Sequence, residues 1–186
     1  MNEARFLRVA NQLELWDGTK SPAEVAHALA GEKSWSLFLR MDSLDPIAVL
    51  AAFYGWRSGR GPLHDYAYVV FTEVELKLSG GILIRTPEHF TYGWPPEVRD
   101  AHYDLENHTP AGALAFAKAV APLGNRLTSV PRLEVLLAQH ELSLREDAPV
   151  QFVASVKSRL SKLSKNEEPV MAALRVVAET RGLLPP

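Results

Sequence analysis

Three clusters along the chain combine residue types and spacings suited to chemistry. In the first, Glu73, Glu75 and Lys77 alternate, and Asp65 stands ten positions before Glu75. On a strand, Asp65 and Glu75 would hold a divalent metal, with Glu73 as a further ligand. Lys77 would then stabilise the attacking water or the developing phosphate charge, which is the chemistry of a metal-dependent nuclease with an E-x-K strand motif. The same period-two charges opposite an apolar face also describe any half-exposed strand. In the second cluster, Asp100, His102, Asp104, Glu106 and His108 alternate. As a strand they would share one face, and His102, Asp104 and His108 would be candidate ligands for zinc or manganese. As a helix begun by Pro95-Pro96-Glu97 they would split into His102–Glu106 and Asp104–His108 pairs on an exposed acidic connector.

The third cluster is basic. Lys157, Arg159, Lys162 and Lys165 are interleaved with Ser155, Ser158, Ser161 and Ser164, with no acid between Asp147 and Glu167. Such a stripe suits nucleic-acid phosphates, each cation releasing a counterion. It equally suits a solvated helix whose cations favour the C-terminal end of the dipole. Smaller features have structural readings beside functional ones. Phe90, Tyr92 and Trp94 suit base stacking or a strand's core face. His140 sits beside Leu133, Leu136 and Leu137 as a core histidine would. Arg57 and Arg60 lie among glycines, as an anion loop or simply the end of a helix would place them. Ser21 to Met41 has the outline of a helix-turn-helix, but its second segment is too apolar to read bases.

Several motifs are absent, which lowers the odds of a nucleotide-binding, α/β-hydrolase or zincin enzyme without excluding others. There is no phosphate-binding Walker loop, dinucleotide fingerprint, G-x-S-x-G elbow or H-E-x-x-H pair. With no cysteine there is no disulfide framework, thiolate zinc site or thiol nucleophile. No cofactor is expected.

The elements that position these clusters follow from periodicity. Phe6, Val9, Ala10, Leu13 and Trp16 predict an amphipathic helix over residues 2–16. Ser21-Pro22-Ala23-Glu24 is a capping box, and Gly31 a stop, for a helix over 22–30. Residues 34–41 suit strand or helix, and Pro46 to Tyr54 a buried helix. Ser79-Gly80-Gly81 predicts a three-residue hairpin loop that pairs Leu78 with Ile82 and Leu76 with Ile84, with a third strand over 90–94. Helices are expected from Thr109-Pro110, over 129–142, after an Asp147 cap to about Ser164, and from Glu168-Pro169 to Arg181-Gly182.

The expected fold is therefore α+β: N-terminal helices on a small antiparallel three-stranded sheet, followed by a C-terminal helical half. At 186 residues and 47% hydrophobic, a single domain is expected over 1–186, subdivided as 1–96 and 97–186. The longest apolar run, Ile47 to Trp56, is about half a membrane span. No membrane association and a cytoplasmic location follow as expectations. The net charge of −2 averages unlike segments. From Leu63 to Pro110 eight carboxylates face three cations, so this stretch carries −5 and the remainder +3. These features together predict a non-catalytic cytoplasmic binding or adaptor protein with a protein partner. Nucleic-acid association is the alternative, followed by the metal-dependent nuclease.

Overall fold

A computed structural model describes residues 3–41, 43–56, 65–88 and 93–183. The fold is α+β, built on a six-stranded antiparallel sheet. In chain order the elements are β1 (Arg5–Val9), α1 (Leu13–Trp16), α2 (Pro22–Ala30), β2 (Trp35–Leu39), α3 (Pro46–Trp56), β3 (Tyr66–Thr72), α4 (Glu73–Lys77) and β4 (Ile82–Arg85). There follow α5 (Pro96–Asp100), β5 (His102–Glu106), α6 (Pro110–Val120), β6 (Thr128–Val130), α7 (Arg132–Ser143), α8 (Val150–Asn166) and α9 (Glu168–Thr180). The strands lie in the order β4-β5-β2-β1-β3-β6.

Two expectations are corrected at the N-terminal end. The helix expected over 2–16 is β1 followed by the single turn α1. β1 lies between β2 and β3, pairing Phe6 with Leu39 on one side and with Phe71 on the other. A strand in mid-sheet is buried on both faces, so its run of four buried residues, Phe6 to Val9, lost the alternation that marks a half-exposed strand. The hairpin over 74–84 is the second correction. Thr72 ends β3 and caps α4: its hydroxyl accepts the Glu75 N–H at 3.2 Å while the Glu75 carboxylate accepts the Thr72 N–H at 2.8 Å. This reciprocal box satisfies two donors that a helix start leaves open. The chain therefore turns into a helix at Glu73, and β4 pairs with β5, Ile84 opposite Asp104, instead of folding back on β3. Of the expected third strand over 90–94, residues 90–92 lie outside the described residues, and Trp94 is buried in a turn. Asp147 does not cap α8. It pairs with Arg145 at 2.7 Å, and Pro149 precedes the helix.

By contact the chain separates into two compact units, each drawn from three stretches. The first comprises residues 1–44, 67–89 and 100–129, and the second 45–66, 90–99 and 130–186. The halves expected at 96/97 cut across both. In the first unit, one sheet face presents Phe6, Leu37, Val69, Phe71 and Leu105 to a core closed by Val25, Ala26 and Leu29 of α2 and by Ala113, Phe116 and Ala117 of α6. Alanines at the α2–α6 crossing let the helix axes approach. Gly112 is required for a related reason: a Cβ there would stand 1.9 Å from the Ser79 carbonyl oxygen. That same oxygen accepts the Thr109 N–H at 3.2 Å, which holds the chain before β4 against the start of α6.

In the second unit α3 packs on α7 and α8, and α9 on both of these. Leu136, Leu137, Leu163, Met171, Leu174 and Ala178 form one of its hydrophobic clusters, where α7, α8 and α9 meet. No helix among the described residues is long and apolar enough to cross a membrane.

Candidate functional site

The E-x-K residues do not form a strand site. On α4, Lys77 and Glu73 stand one turn apart and pair at 2.7 Å. Glu75 is occupied by the Thr72 cap and by Arg126 at 2.7 Å. Burial pushes the Glu75 carboxyl up, but the Arg126 guanidinium and the Thr72 N–H outweigh it and hold the group below its ordinary value. Asp65 belongs to the other unit, where it accepts the Arg132 N–H at 3.2 Å. Asp65, Glu75 and Lys77 thus each have a separate local partner.

The His/Asp cluster is a strand, β5, as the alternation allowed, but only part of it converges. His102 and Asp104 project from one face of the sheet and are 1% and 2% exposed. Asp100 ends α5. Asn107 adopts a left-handed conformation, φ 58°, and the chain leaves the strand there. His108 consequently packs its ring on Trp35, at 4.8 Å between centroids, with Nε2 at 3.1 Å from the Leu29 carbonyl, on the α2 side. Among the described residues no three His, Asp or Glu side chains are grouped to hold a metal.

What His102 and Asp104 meet instead are hydroxyls from two other strands. Ser36 of β2 lies directly opposite Asp104, and its Oγ is 2.6 Å from His102 Nε2. Thr86, just past β4, places its Oγ1 2.9 Å from His102 Nδ1 and 3.0 Å from Asp104 Oδ2. The Thr86 backbone carbonyl is also 3.2 Å from Nδ1, and Ser34 Oγ is 3.3 Å from Asp104 Oδ1. The direction of these bonds follows from which groups can donate. A carboxylate and a carbonyl only accept. Thr86 therefore donates its single hydroxyl proton to Asp104, and Nδ1 carries the imidazole proton toward Thr86. In the neutral ring Nε2 is then the basic nitrogen, and Ser36 donates to it. The proton chain runs Ser36, His102, Thr86, Asp104.

The same sheet face continues into exposed apolar surface. β4 is the terminal strand, and its side chains Ile82 and Ile84, opposite Glu106 and Asp104, are 58% and 39% exposed. Val74 on α4 and Leu78 at its C-terminal cap are also exposed.

On α8, Lys157, Lys162 and Lys165 are exposed and no ion pair engages them among the described residues. Arg159 leaves this set. It reaches the Tyr54 carbonyl and, with Arg132, the Tyr66 hydroxyl, and burial lowers its pKa. The tyrosine is itself buried, which pushes its hydroxyl up despite the two guanidiniums. His140 is a half-buried residue of α7 beside the buried Leu136 and Leu137, and Arg57 and Arg60 lie outside the described residues. Ser34, Ser36 and Thr86 escaped sequence reasoning. The one available signal was the period-two spacing of Ser34 and Ser36 into a strand.

Comparison with protein-family models finds no match for this chain, and none is found among curated proteins or solved structures.

Proposed function

We propose that the protein is a binding protein of the adaptor type, which docks an extended segment of a protein partner along β4. The observation that supports this reading is the exposed apolar face of the terminal strand of the sheet. An edge strand offers a row of backbone donors and acceptors, and sheets that are not used for pairing commonly protect this edge with lysines, proline or a bulge. β4 is four residues long and ends in Arg85, yet it carries Ile82 and Ile84 exposed on one face, with Leu78 and Val74 exposed four and eight residues before Ile82. Strand addition uses the backbone for affinity and alternate side-chain positions for specificity. The partner segment is therefore extended, with apolar residues at alternate positions to lie beside the two isoleucines. The cytoplasm is the proposed setting, since a chain without cysteine draws nothing from an oxidising compartment.

A displayed library of linear peptides, followed by fluorescence anisotropy on the enriched sequences, tests the proposal. Wild type should select alternating apolar segments, and the double variant Ile82→Lys/Ile84→Lys should bind them at least tenfold more weakly. Failure to select any, or equal binding by the variant, refutes it.

A second reading, nucleic-acid association, is favoured by the exposed Lys157, Lys162 and Lys165 on one face of α8. Each phosphate contact should steepen the salt dependence by about one unit of log–log slope. Replacing all three by Glu should abolish gel-shift binding of duplex DNA or RNA at low salt, and no shift by wild type counts against it.

A further inference from the structure

The geometry points to Ser36 as a nucleophile for acyl transfer, with His102 as its general base. This goes beyond docking at the β4 edge and does not depend on it, because it uses the face of the sheet. Three observations carry it. The Ser36 hydroxyl lies 2.6 Å from His102 Nε2, within reach for proton transfer. The acceptors around Nδ1 leave Nε2 as the basic nitrogen, and the chain through Thr86 ends on the Asp104 carboxylate. Nucleophile, base and an acidic group that orients the base are the three parts an activated serine requires. Finally, Ser36 is only partly buried, and the exposed Ile84 and Ile82 share its sheet face.

The substrate class is an ester with a short apolar acyl group. Ser36 and Ile84 both pair with Asp104, so they stand two strands apart, about 9–10 Å between backbones. The Asp104 side chain stands between them on the same face, so an acyl chain of a few carbons attached at Ser36 passes that carboxylate toward the isoleucines. In the first step Ser36 Oγ bonds to the ester carbonyl carbon as its proton passes to Nε2. Collapse of the tetrahedral species breaks the carbon–oxygen bond to the alcohol, which leaves with the proton from Nε2. Water, deprotonated by the same nitrogen, then releases the acid and restores Ser36. Ester and water give acid and alcohol, with no other reactant. Asp104, acting through Thr86, is a positioning residue: it fixes the ring and stabilises the imidazolium.

The test uses the full chain with a fluorophosphonate probe, read by intact mass and peptide mapping, alongside p-nitrophenyl butyrate hydrolysis. One adduct per chain on Ser36 is expected, absent in Ser36→Ala, with a burst of one p-nitrophenol. Thr86→Val should slow labelling at least tenfold, and Thr86→Ser, which keeps the hydroxyl, should restore it. No adduct, an adduct at another residue, or labelling of Ser36→Ala at the wild-type rate overturns the assignment. Wild-type labelling by Thr86→Val overturns the relay. Ser36→Ala should retain peptide binding at β4, so failure here is distinct from failure of the docking reading.

Discussion

A histidine almost fully removed from water needs partners for both ring nitrogens, and its partners decide what it can do. Around His102 they include two hydroxyls and a carbonyl, and the Thr86 hydroxyl links the ring to the Asp104 carboxylate. This arrangement differs from a metal site, in which the carboxylate and imidazole would both face an ion. It differs also from a direct His–Asp pair, because Thr86 transmits the polarity. Glu75 shows the same principle with a carboxylate. Its pKa lies below the ordinary 4.5 because Arg126 and the Thr72 N–H favour the charged form. A carboxylate whose folded pKa is depressed contributes stability above its unfolded pKa, and this is lost as pH falls through the folded value. The protein should therefore lose stability progressively below about pH 4.5. Glu75→Gln should reduce stability at pH 7 by about 1 kcal/mol, scaled for a partly exposed pair, and flatten that acid limb. Urea melts of both proteins between pH 3 and 7 measure this. Parallel acid limbs would show that the Arg126 pair and the cap contribute nothing.

Elements were legible where their signals were local and unopposed. Ser21-Pro22-Ala23-Glu24 forms the expected capping box and α2 spans the expected residues. Trp35, Leu37 and Leu39 alternate and are β2, one of the two forms that residues 34–41 allowed. Thr72-Glu73-Val74-Glu75 carries the same capping signature, but it lies within an alternating apolar pattern that continues to Ile84. The capping box prevailed because Leu76 gains a buried position against the first unit's core while Val74 and Leu78 remain outside. β1 was illegible for the opposite reason, since burial on both faces erased its period. The candidate site was half legible. The alternation of His102 and Asp104 is in the sequence, whereas Ser36 and Thr86 arrive from positions 66 and 16 residues away and only the sheet order brings them in. That order depends on the contact of α6 with the turn before β4. Gly112→Ala would drive a methyl group into the Ser79 carbonyl, and the resulting shift should cost about 1–3 kcal/mol. A thermal melt checks it, and an unchanged midpoint would mean that the two segments separate freely.

At the scale of the molecule, the acids and cations of the unequal charge distribution have different partners. The acids between Leu63 and Pro110 are mostly committed to caps and pairs, as Glu73, Glu75 and Glu97 are. The cations of α8 remain in water, Arg159 excepted. What stands out after this accounting is apolar: a sheet whose terminal strand carries exposed isoleucines. The central claim is that β4 accepts another strand. Hydrogen–deuterium exchange of the wild-type protein, with and without a selected alternating peptide, tests it most directly. Slowed exchange confined to the amides of Ile82 to Arg85 is expected, with β6 at the far edge unchanged. Protection located on α8, or no protection at β4 when the peptide is bound, would contradict it.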